Sequence, residues 1–353
     1  MTVLKLGSLF DGIGVFPLAA MHCGMEPVWA SEIEARPISI TKRHFPDMLH
    51  LGDITKISGA EIPPVDVITF GSPCQDLSQI GTRNGFAGKK SSLFYQAMRI
   101  IEEMRYATNG RYPAFTVWEN VAGAFSSNDR LDFAAMLSAF TGAEVSVPPR
   151  GWAHAGMVRG GCADTAWRLL DAQYWGEPAL VQRRKRVFVV ADFAGQRAGE
   201  VLFKSRTMFS FSSIGGPGGL SATQRGGVPA AQTGRQVPIV RPFSLRRMRT
   251  MAQVGDQKGF CASFGRGGEP FPTLLASVTA PFSFWYEGEE RDGFLRVLTP
   301  LECERLMGLP ENWTKYGCKN EEISDHARYR ALGNSIALPC AEYVMAGIAE
   351  VMN

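Results

Sequence analysis

The stretch Gly71-Ser72-Pro73-Cys74-Gln75-Asp76-Leu77-Ser78 follows the β-branched run Val65-Asp66-Val67-Ile68-Thr69-Phe70. The run predicts a short buried strand, and Gly71 and Pro73 stop it and turn the chain. One thiol is thereby held just past a strand's carboxyl end, the edge where open α/β sheets bind ligands. Cys74 reads there as a nucleophile for covalent catalysis or as a small packed hydrophobe. The octet alone does not separate the two. A second core strand, Ala114-Phe115-Thr116-Val117-Trp118, ends in Glu119-Asn120-Val121. If the two strands are neighbours, Cys74 and Glu119 face one pocket, and burial would raise the Glu119 pKa so that it donates or shares a proton. Alone, Glu119 reads first as a surface acid or a helix-capping partner. Further on, Gln182-Arg183-Arg184-Lys185-Arg186 leads into the strand Val187-Phe188-Val189-Val190. In extended chain Gln182, Arg184 and Arg186 share a face. That suits recognition of an anion or a carbonyl, although basic runs are more often simply solvated.

These groups need elements to hold them. Val3-Leu4-Lys5-Leu6 reads as a first strand, Phe10-Asp11-Gly12-Ile13-Gly14 as a turn, and the chain to Ala20 as a helix. The pattern is F-x-G-x-G, without the third glycine of a dinucleotide fingerprint. The glycines let a ligand lie close to the backbone without requiring a phosphate. Val28-Trp29-Ala30-Ser31 predicts a second strand, with Glu32 at its end, twenty residues after Gly12 and placed to grip ribose hydroxyls. Asp53, after Gly52, could accept from an adenine amino group. The plainer alternative is a structural turn and two capping acids. Ser91 to Arg105 predicts a helix with one apolar face.

The chain has 353 residues, 45% hydrophobic and 20% charged, as in ordinary globular proteins of two lobes. Its formal charge of +3 does not by itself indicate nucleic acid. The seven cysteines are scattered and include no C-x-x-C pair, which argues against a disulfide framework and against a metal site. A reducing, cytoplasmic setting is expected. The amino end has no secretory apolar region, and no apolar run has the length of a membrane span.

Six motifs in order now carry a resemblance. They are Phe10-x-Gly12-x-Gly14, Gly71-Ser72-Pro73-Cys74-Gln75, Glu119-Asn120-Val121, Gln182-x-Arg184-x-Arg186, Arg296-Val297-Leu298-Thr299-Pro300-x-Glu302 and Gly333-Asn334-Ser335. Together they make the chain resemble the DNA cytosine-5 methyltransferases of bacterial or phage type. The resemblance implies a Rossmann-like, S-adenosylmethionine-dependent α/β domain with a smaller, loop-rich, mostly β target recognition lobe. It implies catalytic domain segments 1–192 and 325–353, with lobe and hinge at 193–324. It implies a cytosine flipped from duplex DNA, Cys74 adding to C6, methyl transfer to C5 and β-elimination. Glu119 would contact N3 and the exocyclic amine, and Arg184 the base O2. Pro73, Gln75, Asn120, Gln182 and Arg186 would support them. Phe10, Asp11, Gly12, Ile13, Gly14, Glu32, Ile33, Asp53, Ile54 and Gly71 would line the cofactor, closed by Asn334 and Ser335. Implied partners are double-stranded DNA and, functionally, a cognate restriction endonuclease; the expected state is a monomer.

One departure stands out. The family places a proline directly before the glutamine, whereas here Ala179-Leu180-Val181 separate Pro178 from Gln182. A bulge leaves Arg184 in place, and the intact strand after Arg186 favours it. Residues 196–250 hold nine Lys/Arg and one acid, a local balance of +8 that suits phosphate contacts. Thr299 and Pro300 predict a helix start, and a last helix is expected from Ile336 to Val351. Competing readings are a methylase acting on RNA cytosine, a catalytically dead DNA-binding relative and, least supported, a nicotinamide dehydrogenase.

Overall fold

The computed structural model describes residues 3–72, 93–203, 239–242, 271, 273–274, 282–286 and 293–353. Cys74, Pro73 and Gln75 lie outside the described residues, as does most of the basic stretch. The chain divides into two units, each built from separated segments. The first comprises Met1–Leu170, Lys185–Ser210 and Ala341–Asn353, and the second Asp171–Arg184 and Phe211–Cys340. This differs from the expected division. Residues 171–184 group with the second unit because backbone bonds join them to it: the Phe271 N–H donates to the Val181 carbonyl and the Arg183 N–H to the Phe271 carbonyl.

The first unit is organised on an eight-stranded sheet in the order β3-β2-β1-β4-β5-β8-β7-β6. The strands are β1 (Lys5–Leu9), β2 (Glu26–Ser31), β3 (Leu49–His50), β4 (Val67–Phe70), β5 (Phe115–Val121), β6 (Ala155–Arg159), β7 (Asp164–Asp171) and β8 (Lys185–Asp192). β1 is parallel to β2 and β4, and β4 to β5. The chain runs outward through β1, β2 and β3, then restarts at β4 on the other side of β1. The carboxyl ends of β1 and β4 therefore form a topological switch point, where such sheets open a crevice. β8 is antiparallel to β5, with Val121 opposite Arg186 and Phe115 opposite Asp192. The ladder runs unbroken from Arg186 to Asp192, clear of the extra residues 179–181. They lie before it, with Leu180 buried and Ala179 and Val181 exposed.

The sequence accounts for the packing. β4 is wholly buried and apolar except for Thr69, as suits a central parallel strand. One sheet face packs Leu9, Phe70, Trp118 and Ile68 against α3 (Leu93–Ala107) through Phe94, Ala97, Met98, Ile101 and Met104. α1 (Val15–His22) and α2 (Ala35–His44) follow β1 and β2. α4 (Leu131–Thr141) follows β5, and α5 (Ala198–Leu202) follows β8. Among the described residues no single helix is long and apolar enough to cross a membrane.

The second unit contains a three-stranded antiparallel sheet of β9 (Ile239–Pro242), β10 (Phe282–Tyr286) and β11 (Gly293–Val297). Among the described residues its helices are α6 (Pro300–Leu306) and α7 (Asp325–Asn334), and α8 (Leu338–Met352) begins in it. α6 starts as its sequence predicts: the Thr299 hydroxyl accepts from the Glu302 N–H, and the Glu302 carboxylate accepts from the Thr299 N–H, with Pro300 at the first position. The buried Glu304 carboxylate accepts from Arg328 at 3.0 Å and from the Thr314 N–H at 2.9 Å, so its charge is paired.

Candidate active site

At the end of β1 the chain bends sharply through Phe10, Gly12 and Gly14, at φ 55°, 59° and 78°. Glycine occupies the left-handed region at little cost, but Phe10 is held there against its preference. Such strain persists only where surrounding contacts over-determine it. Glu32 provides one such contact from the end of β2. Its Oε2 accepts from the Gly12 N–H at 2.9 Å, and its Oε1 from the N–H groups of Ile33 and Glu34. Each carboxylate oxygen keeps lone-pair capacity for a further donor. A Cβ on Gly12 would meet no described residue within 4 Å, so space is open over the turn among the described residues. Ile13 and Ile54 are buried in the core, whereas Ile33 is 73% exposed beside Glu32. Asp53 accepts through Oδ1 from the Thr55 N–H and hydroxyl, capping the short turn Ile54–Lys56. These bonds hold its carboxyl below the usual range, the backbone bond first.

Asp11, in the turn itself, differs from Glu32 and Asp53. Neither of its carboxylate oxygens has a hydrogen-bond partner among the described residues, and both are buried. Burial pushes its pKa up to about 7, with a small contribution from Glu32. The nearby Ser8 hydroxyl offsets this only in part and sits outside good hydrogen-bond geometry. Ser8 is opposite Thr69 in the β1–β4 register, and both hydroxyls are likewise buried without a partner among the described residues. Hydroxyl side chains in the middle of otherwise apolar strands were the visible sign of this polar floor, which the motif reading passed over.

β5 supplies the second group. Glu119 is 9% exposed, and Arg186 Nε lies 2.9 Å from its Oε1. The register explains the pair. Arg186 stands opposite Val121, and Glu119 is two residues back on the same face, a diagonal neighbour across antiparallel strands. The cation compensates the buried carboxylate, against the desolvation expected from sequence alone. Oε2 of Glu119 lies 3.1 Å from where a Cβ on Gly71 would sit, so the carboxylate packs against the exit of β4. Asn120 donates from Nδ2 to the Ser72 carbonyl at 2.9 Å and accepts at Oδ1 from the Val121 N–H.

Arg184 stands just before β8. The strand begins at Lys185, so the alternation pairing Arg184 with Arg186 does not extend back to it. Arg184 belongs to the second unit, is 1% exposed, and donates to the carbonyls of Leu274, Gly333 and Ser335. The arginine at Glu119 is Arg186, which sequence reasoning ranked as supporting. Gln182 is fully buried, with no partner for its amide among the described residues, and pairs by backbone with Phe271. In the second unit Asn334 ends α7 exposed, with Ser335 half-buried after it. Among the described residues no group of three or more His, Cys, Asp or Glu side chains could hold a metal.

The family model of C-5 cytosine-specific DNA methylases matches residues 4–208 and 245–350. The chain belongs to that family. Across 98% of its length it is 24% identical to a DNA N-6-adenine-methyltransferase of Escherichia phage P1, of which it spans only 61%. It is 27% identical over 99% of its length to the Type II methyltransferase M1.ScrFI of Lactococcus lactis subsp. cremoris, covering 78% of that protein. The crystal structure of the S. pombe Dnmt2 methyltransferase shares the fold, with a TM-score of 0.59 at 16% identity over 99% of both chains. The shared fold matches the sheet with its switch point between β1 and β4, and the family accounts for the order of the motifs along the chain.

Proposed function

We propose that this methylase transfers a methyl group from S-adenosylmethionine to C5 of a cytosine extruded from duplex DNA. The observation that carries the reading is the Glu119–Arg186 pair at 2.9 Å, packed against the Gly71 exit that leads to Cys74. C5 of cytosine is a poor nucleophile while the ring is aromatic. Attack of the Cys74 thiolate on C6 forms an S–C6 bond and makes C5 enamine-like, which is covalent catalysis. Glu119 would contact N3 and the exocyclic amine, where charge develops. Arg186 holds that carboxylate in place and is the arginine best sited for the base O2. After C5 gains the methyl group, its proton leaves and the S–C6 bond breaks, returning the thiolate and aromatic 5-methylcytosine. Contacts to the extruded base must offset unstacking of a few kcal/mol.

The residues at the β1 turn fit the cofactor. Glu32 would accept from ribose hydroxyls, the exposed Ile33 would cover an adenine face, and the open space over Gly12 admits a ligand close to the backbone. Buried carboxylate oxygens without partners at Asp11 favour a ligand bearing donors or positive charge. Bound S-adenosylmethionine would supply the methyl electrophile. The continuous β8 ladder beside Glu119 favours an active enzyme over a catalytically dead relative.

The test is methylation of duplex DNA with labelled S-adenosylmethionine, followed by nucleoside analysis. Label is expected in 5-methylcytosine. Label in N6-methyladenine alone, or in tRNA and not DNA, would overturn the reading. Cys74→Ala should abolish transfer and leave cofactor affinity near wild type; turnover in that variant would remove Cys74 from the mechanism.

A further inference from the structure

The ladder between β4 and β5 ends at Phe70 opposite Trp118. Beyond that pair, three consecutive β5 residues take over from backbone hydrogen bonds. The Trp118 indole N–H donates to Ser72 Oγ at 3.0 Å, and Asn120 Nδ2 donates to the Ser72 carbonyl at 2.9 Å. Between them, Glu119 presents its Oε2 against Gly71. Because side chains alternate along a strand, Trp118 and Asn120 grip Ser72 from one face while Glu119 stands on the other. Both oxygens of Ser72 are thereby used, and the residue is 4% exposed.

We propose that Trp118 and Ser72 are positioning residues for methyl transfer, coupled through the indole–hydroxyl hydrogen bond that fixes where the chain leaves β4 towards Cys74. The proposal rests on Cys74 as the nucleophile, two residues along the chain from Ser72. Trp118 suits the task because its ring cannot drift. It is fully buried, edge-on to Phe94 at 6.4 Å and tilted against Phe133 at 6.4 Å. A buried indole N–H needs an acceptor, and Ser72 supplies it. A hydroxyl also needs a donor near it to hold one rotamer, and the indole supplies that. Each group thus removes the other's freedom, and the carboxylate between them keeps its place relative to the chain carrying the thiol. Small misplacements of reacting groups cost rate steeply.

The experiment uses the full-length protein and the variants Trp118→Phe, Ser72→Ala and their combination. Trp118→Phe keeps an aromatic ring but removes the donor together with the indole's second ring, and Ser72→Ala removes the acceptor without touching that packing. Single-turnover methyl transfer to unmethylated duplex DNA at saturating cofactor should slow by roughly 10- to 100-fold in either single variant. Cofactor affinity by calorimetry should not change. The combined variant should be no slower than the slower single one, since no orphaned group then remains. A wild-type rate in Trp118→Phe, multiplied losses in the combination, or a fall in cofactor affinity matching the fall in rate would each overturn the proposal. If Trp118→Phe does not fold, Ser72→Ala carries the same expectation with the tryptophan retained. A separate arm measures alkylation of Cys74 by iodoacetamide against pH, with mass spectrometry of its peptide. Its pH profile should shift in both single variants, and an unshifted profile overturns the coupling. That arm decides the proposal even if the wild-type protein makes no 5-methylcytosine, an outcome that would sink the C5 reading alone.

Discussion

Asp11 is the residue whose chemistry the structure changes most. A carboxyl with a pKa of about 7 in the folded chain and 3.8 as its ordinary value binds its proton more tightly when folded. Its contribution is most favourable below about pH 4, is lost as pH rises towards 7, and stays lost above that. Asparagine imitates the protonated form, so Asp11→Asn should be no more stable than wild type near pH 4. Near pH 8 it should be more stable, by up to about 4 kcal/mol. Denaturant unfolding at the two pH values measures this, and a difference independent of pH would contradict it. The acid's place in the turn was legible in F-x-G-x-G. Its burial was not, because a turn residue beside a glycine gives no sign of what packs over it.

Among the elements, β1 was legible and one of its requirements was not. A Cβ on Gly7 would meet three atoms of the Trp29 indole at 2.2 to 2.4 Å, where the β1–β2 register shifts between Leu6 and Gly7. Trp29 is fully buried and cannot swing away. Gly7→Ala should therefore destabilise the protein by about 3 kcal/mol, the upper end for overpacking a dense core. The loss should shrink in a Trp29→Phe background, which lacks the indole's second ring; chemical denaturation of the three variants decides it. The arginine run shows the opposite failure. Alternation read backward from Val187 is sound as far as Lys185. Sequence period cannot show that Asp171 accepts from the Arg184 N–H, or that the Arg184 carbonyl accepts from Ala172. Those tertiary bonds take Arg184 out of the strand. The Glu119–Arg186 pair was hidden for a related reason: it depends on antiparallel register between strands more than sixty residues apart in the chain.

At the scale of the molecule, the motif order fixed the family, and the parallel core followed from β-branched runs ending in polar groups. The division into units did not follow. The residues around Gln182 look continuous with β8 in sequence, yet their backbone pairs with Phe271 in the second unit. The +8 balance over residues 196–250 belongs to this scale too. If that stretch meets phosphates, DNA affinity should fall linearly on a logarithmic salt scale with a slope steeper than about −3, since each phosphate contact contributes about −0.9. A nearly flat dependence in a binding titration would show that the charge serves solubility instead.

All eight strands of the large sheet lie before Phe193, and the second unit takes up Phe211–Cys340 before the chain returns at Ala341. The longest part of that unit is thus a cassette between two passages of the chain through one scaffold. Insertions, deletions or recombination within the cassette change its length and surface while leaving every strand pairing of the scaffold unedited. A lineage could renew what the cassette contacts as often as selection demands, and the crevice at β1 and β4 would be inherited unaltered.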